Sequence, residues 1–207
     1  YERLIMSGVS SWQQTAKLTA PDAQAGARFG AGIALVDDIL YIGAPRQGRG
    51  KVYLYARDVN TGQWQVTANI EPEDPQAMRF GADIAQNGQT LIIGAPYTDA
   101  DNSEVPNMKQ MARFQISRND TFDPGIESGA IFVYEKVAGA WQVTVRLGSE
   151  NRETSDHLGE QIAIDGDIIV ASVKHKDVLD DLRAGAVYVY QNVNHVWQED
   201  TALVAPD

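Results

Sequence analysis

Cysteine is absent from all 207 residues. Disulfide staples, thiolate nucleophiles and Cys-ligated zinc are therefore excluded, along with any small disulfide-rich scaffold. Positive charge is scarce: 17 Lys and Arg stand against 28 Asp and Glu, a formal net charge of -11. Such a chain repels phosphate backbones and anionic bilayers, so nucleic acid is not expected as a partner. Long apolar runs are missing as well. Ile39 to Ile42 and Ile168 to Ala171 are far shorter than the about 20 residues of a membrane helix, and no membrane span is predicted. Histidine occurs only at 157, 175 and 195, with neither a His-Glu-x-x-His spacing nor a Gly-x-Ser-x-Gly elbow. Helical periodicity is lacking except around Val105 to Gln115. What is present, 43% hydrophobic and 22% charged residues, is the composition of a globular protein with a sizeable core.

Self-similarity organises that composition. A Trp-Gln pair recurs at Trp12, Trp64, Trp141 and Trp197. Between successive Trp residues three signatures follow in fixed order. The first is Phe29-Gly30, Phe80-Gly81 and Leu158-Gly159. The second is Gly43-Ala44-Pro45, Gly94-Ala95-Pro96 and a decayed Ala171-Ser172-Val173. The third is Gly50-Lys51-Val52-Tyr53-Leu54-Tyr55, Gly129-Ala130-Ile131-Phe132-Val133-Tyr134 and Gly185-Ala186-Val187-Tyr188-Val189-Tyr190.

Each signature reads as a strand. Trp64, Val66, Ala68 and Ile70 alternate with Gln65, Thr67 and Asn69, the period of two that sets one face on a core. Ile39 to Ile42, Leu91 to Ile93 and Ile168 to Val170 are continuous apolar runs, as expected of strands buried on both faces. The Val-Tyr-x-Tyr segments combine β-branched and aromatic residues. Asp37-Asp38, Asn87-Gly88 and Asp165-Gly166 supply the tight hairpins. The predicted fold is all-β: four short antiparallel strands per repeat, the unit of a β-propeller blade.

In its order and spacing this set of motifs resembles the FG-GAP repeat of integrin α-subunit propellers and of many bacterial surface proteins. The resemblance implies that the Phe-Gly strand is innermost and the Trp strand outermost. It divides the chain into complete blades at 28–71, 79–148 and 157–205, with residues 1–19 as the last strands of a preceding blade. Three blades and a part do not close a ring, since propellers use typically about 4–8. The missing blades are therefore expected from the same longer chain or from another copy. The exposed ends, Val193, Val196, Trp197 and Leu203 on one side and Leu4, Ile5 and Met6 on the other, are expected to be covered. A secreted or cell-surface location is implied too.

Calcium is the cofactor this resemblance raises. Many such repeats carry an Asp-x-Asp/Asn-x-Asp-Gly loop between the first two strands, but here the loops are only Val36-Asp37-Asp38, Gln86-Asn87-Gly88-Gln89 and Ile164-Asp165-Gly166-Asp167. These suit plain hairpins rather than a cation cage. A weaker metal reading falls on Asp99, Asp101 and Ser103, whose alternating oxygens can converge on a hard cation, although the glycine turn and distal glutamate of an EF-type loop are missing.

Strand parity sends loops 20–27, 46–49, 72–78, 97–128, 149–156 and 174–184 to one rim, where all the length variation lies. Variable loops on a rigid scaffold are where recognition resides. The ligand-binding residues expected there are Tyr97, Asp99, Asp101, Arg113, Arg118, Asp156, His157 and His175, acting on a protein or glycan ligand without catalysis. The 97–128 insertion, with Met108, Met111, Phe114, Ile116 and Phe122, is expected to pack locally or on a neighbour. Two other readings stay open. One is a secreted enzyme acting on a polysaccharide or ester through rim carboxylates, and the other is a purely structural or self-assembling module.

Overall fold

The computed structural model describes residues 2–6, 9–99, 127–149, 153, 155–177 and 184–205. Every element among them is a strand. A hairpin of β1 (Glu2–Met6) and β2 (Val9–Gln13) comes first. Three four-stranded antiparallel sheets follow in chain order. The first contains β3 (Ile33–Val36), β4 (Ile39–Ala44), β5 (Lys51–Arg57) and β6 (Trp64–Ile70). The second contains β7 (Ile84–Asn87), β8 (Thr90–Ala95), β9 (Ala130–Val137) and β10 (Ala140–Leu147). The third contains β11 (Ile162–Asp165), β12 (Ile168–Val173), β13 (Ala186–Val193) and β14 (Val196–Val204). These sheets are blades of a β-propeller, each an up-and-down meander in which a tight turn joins the first strand to the second. The second and third strands are joined by connections of unequal length, the longest from Ala95 to Ala130.

The same irregularity recurs in all three. The register between third and fourth strands slips at Leu54/Tyr55, at Val143/Val145 and at Val189/Tyr190, a bulge that increases the twist of the outer strand. In the first two blades a threonine sits there, Thr67 Oγ1 donating to the Leu54 carbonyl at 3.3 Å and Thr144 Oγ1 to the Val133 carbonyl at 3.2 Å.

The core lies between blades. Tyr41, Val52 and Leu54 of the first blade meet Phe80, Ile84, Leu91, Ile93, Phe132 and Tyr134 of the second. The opposite face of the second blade, Ile92, Ile131 and Val133, meets Ile169, Ala171, Tyr188 and Tyr190 of the third. Alternate residues of β8 thus serve two interfaces, which is why Leu91, Ile92 and Ile93 are all fully buried. Trp141 spans blades by packing edge-on against Tyr41, ring centroids 6.2 Å apart. Trp12 is 69% exposed, since no sheet packs over it among the described residues. Val193, Val196 and Leu203 are exposed on the third blade, whereas Trp197 turns inward and is buried against the second. The side chains of Leu4, Ile5 and Met6 lie outside the described residues.

The glycines of the repeat explain how the blades dock. A Cβ on Gly43 would sit 1.9 Å from the Gly81 carbonyl oxygen, and one on Gly94 would sit 2.0 Å from that of Gly159. A Cβ on Gly50 would lie 2.1 Å from the Phe80 oxygen, and Gly50 and Phe80 form a parallel bridge that Gly129 and Leu158 repeat. Phe80-Gly81 and Leu158-Gly159 are therefore each pressed backbone to backbone into two glycines of the blade before. No residue with a side chain fits there without separating the blades.

The third blade breaks this rule, and its motif is displaced by one from the sequence alignment. The Gly43 and Gly94 carbonyls accept from Gly30 and Gly81, and the carbonyl that accepts from Gly159 is that of Ser172. Ser172, not Ala171, is thus the glycine equivalent, and Lys174 stands where the proline would be. Ser172 Oγ accepts the Gln161 N–H at 3.1 Å, turned into its own blade.

Residues 16–29 cover the other face of the first blade. Ala20, Ala27, Leu18 and Phe29 pack on Ile42, Tyr53 and Tyr55. Asp22 anchors this cover by accepting from the Tyr53 hydroxyl and from Lys51 Nζ at 3.0 Å, while Lys51 also reaches Glu71 at 2.8 Å. The Tyr53 hydroxyl, then Lys51, hold the Asp22 carboxyl down at about 2. A depressed carboxyl stabilises the fold above its unfolded value near 4 and ceases to as pH falls through about 2. Urea unfolding from pH 5 to 2 should accordingly show a smaller acid loss of stability for Asp22→Asn than for the parent. Identical slopes would remove Asp22 from the acid response.

Candidate functional site

Loops 20–27, 46–49, 72–78 and 174–177 do meet on one rim. The Arg46 N–H donates to the Ala27 carbonyl at 3.1 Å and the Phe80 N–H to Arg49 at 3.0 Å, and the Leu158 N–H donates to Ser128 at 2.9 Å. Two positions of every repeat come to this rim, the residue before Phe-Gly and the residue after Gly-Ala-Pro. The first is Arg28, Arg79 and His157; the second is Arg46, Tyr97 and His175.

These six form an arc. Arg46 stands between Arg28 and Arg79, whose charges lower its proton affinity after the dominant effect of lost solvent. The Arg79 guanidinium lies 5.0 Å above the Tyr97 ring, a cation–π contact. Tyr97 stacks on His157 with centroids 4.3 Å apart and planes 25° from parallel. His157 then meets His175 edge-on at 4.8 Å. Arg28, Arg79 and His157 share a left-handed backbone, φ 57°, 63° and 56°, a conformation uncommon for residues with side chains. The turn that brings each Phe-Gly to the preceding blade requires it, and it aims each side chain along the rim.

A buried ion pair supports the histidine end. Asp156 is 1% exposed, and its Oδ2 accepts the Glu153 N–H at 2.7 Å and faces Lys176 Nζ at 3.5 Å. Lys176 also meets Glu153 at 3.1 Å. Burial pushes the Asp156 carboxyl up, against the downward pull of the Glu153 N–H and Lys176. Burial opposes the charge on Lys176, but Glu153 and Asp156 outweigh it and raise its proton affinity. His157 is buried beside this pair, 3.5 Å from Glu127, with neither ring nitrogen hydrogen-bonded. The His175 Nδ1 is 3.2 Å from the Ser155 carbonyl.

Four of the residues expected at the site, Tyr97, Asp156, His157 and His175, are thus brought together. Asp99 lies beside them as a clasp: its Oδ1 accepts the Glu127 N–H at 2.9 Å, and its carbonyl accepts from the Arg146 guanidinium, so the base of the insertion is closed on itself. Asp101, Ser103, Arg113 and Arg118 lie outside the described residues, as do Met108, Met111, Phe114, Ile116 and Phe122. Among the described residues no three acidic or histidine side chains converge as a metal site would need. Arg28, Arg46 and Arg79 were not among the expected residues. Superposing the repeats would have found them, because they occupy the positions of His157, Tyr97 and His175 in the other blades.

The family model described as FG-GAP repeat matches residues 12–55 and 141–190. The chain contains FG-GAP repeats. Its second blade, between the matched stretches, carries the same Phe80-Gly81 and Gly94-Ala95-Pro96 and forms the same four-stranded sheet. No curated protein matches the chain. FG-GAP repeats form propeller modules that are generally non-enzymatic and typical of extracellular, adhesion-like proteins. Among the described residues of this FG-GAP propeller no helix is long and apolar enough to cross a membrane.

Proposed function

We propose that this FG-GAP propeller is a non-enzymatic recognition module of a secreted or cell-surface protein, binding a protein or glycan through the rim that bears the Arg28 to His175 arc. The observation that carries the reading is the arc itself. Guanidinium and aromatic faces are set at repeat-equivalent positions on backbone fixed by inter-blade hydrogen bonds. Aromatic and arginine side chains dominate recognition surfaces, and a preset backbone lowers the entropy lost on binding. Catalysis is disfavoured by the same geometry. Neither histidine of the arc is bonded to a hydroxyl among the described residues, and the buried Asp156 is engaged with Lys176.

An arrayed panel of extracellular proteins and glycans tests it. A bound member is expected to lose at least tenfold in affinity with Tyr97→Ala or Arg79→Gln and to be indifferent to Asp38→Asn or Asp165→Asn on the opposite rim. Turnover of a bound glycan or ester, or sensitivity confined to the opposite rim, would overturn the proposal.

A further inference from the structure

The rim holds a concentration of positive charge at odds with the chain as a whole. Arg28, Arg46, Arg79 and Lys174 line an open pocket of about 220 Å³, with Glu160 as its one carboxylate among the described residues. Its remaining walls are Ala31, Pro45, Ala82, Pro96 and Tyr97. Lys174 takes Glu160, Nζ to Oε2 2.5 Å. Arg28, Arg46 and Arg79 form no ion pair with any described residue, although the chain carries 28 Asp and Glu. Three like charges held together with no counterion among the described residues repel one another, and after the dominant effect of lost solvent the charges of Arg28 and Arg79 lower the proton affinity of Arg46. Two of them stand on left-handed backbone, a strained choice for arginine.

The pocket is smaller than the roughly 300–1,000 Å³ that encloses a whole small-molecule ligand, so it suits one chemical group. Guanidinium forks match oxyanions in paired hydrogen bonds. Three guanidiniums with no carboxylate partner among the described residues favour a double negative charge over a single one. We propose that the pocket is an oxyanion site that takes one sulfate or phosphate ester group projecting from the ligand bound at the rim. The proline and alanine walls hold the forks apart, and Tyr97 continues the surface toward the histidines.

This deepens the rim reading and rests on it, yet its test uses small ions and so can fail alone. Calorimetric titration of the protein with sodium sulfate, sodium phosphate and sodium acetate at matched ionic strength in chloride is the experiment. Sulfate or phosphate should bind with millimolar affinity and acetate at least tenfold more weakly. Arg46→Gln and Arg79→Gln should each weaken the divalent ion at least tenfold, while Lys17→Gln, far from the pocket, should leave it unchanged. Arg46→Gln should also melt no lower than the parent, since it relieves repulsion; should Arg79→Gln fail to fold, the exposed Arg46 decides the matter. Glucosamine 6-sulfate and glucose 6-phosphate then separate the sources, and either one binding as well as its free ion supports the proposal. Acetate equal to sulfate, divalent binding unchanged in Arg46→Gln, or free ions binding while neither ester does would each overturn it.

Discussion

Gly94→Ala is expected to destabilise the protein by about 4 kcal/mol, at the upper end of single substitutions. The added methyl would stand 2.0 Å from the carbonyl oxygen of Gly159 and 3.0 Å from its carbon. Both are backbone atoms of the next blade, so no rotamer change relieves the overlap. The blades must separate, and separating them opens the interface where Ile92, Ile131, Val133 and Ile169 are fully buried. Overpacking alone costs about 1–3 kcal/mol, and the interface loss adds to it. Gly88→Ala is the control. Gly88 has φ 59° but nothing within 4 Å of a Cβ, so only the left-handed penalty of about 1 kcal/mol applies. Equal losses for the two in denaturant unfolding would contradict the backbone-to-backbone docking.

Lys176→Met should cost about 3 kcal/mol, from the charge it strands rather than the contact it removes. Asp156 is buried, and its carboxyl is already raised by burial with Lys176 facing it. Without the ammonium the carboxyl rises further. A carboxyl raised in the folded state penalises folding above its folded value and not below its unfolded one. The deficit of Lys176→Met should therefore shrink as pH falls from 7 toward 4, and adding Asp156→Asn should restore most of it at pH 7. A loss under 1 kcal/mol, or one that does not change with pH, would contradict the buried pair.

Much of this architecture is legible in the sequence. Period-two alternation after each Trp, the apolar runs and the hairpin dipeptides locate the strands because strand burial imposes those patterns. The limits have physical causes. Ile168 to Val170 reads like Leu91 to Ile93, yet Ile168 is 47% exposed, because burial on both faces needs a neighbour that the run itself does not encode. The sequence alone sets the Gly-Ala-Pro motif of the third blade one residue early, since small residues at 171 and 172 look alike until hydrogen bonds assign Ser172. At the site, His157 and His175 stood out by rarity and Tyr97 by its place at the start of the insertion. Arg28, Arg46 and Arg79 look like solvated surface charge one at a time. Only the packing of successive blades makes them neighbours, and a residue on the Phe-Gly turn of one blade is seen to face the Gly-Ala-Pro end of the blade before it.

The Asp99 clasp and the Asp156–Lys176 pair share a role. Each fixes the base of a rim loop from below while the arc, apart from the buried His157, stays accessible. The proposed recognition surface then rests on a floor held by these bonds.

Hydrogen–deuterium exchange with and without the tightest binder from the panel tests the central claim most directly. The account predicts protection at residues 27–31, 45–50, 79–82, 96–99, 155–159 and 173–177, with the hairpins at 37–38, 87–89 and 165–167 unchanged. Protection at those hairpins with the Arg28 to His175 arc unaffected would contradict it.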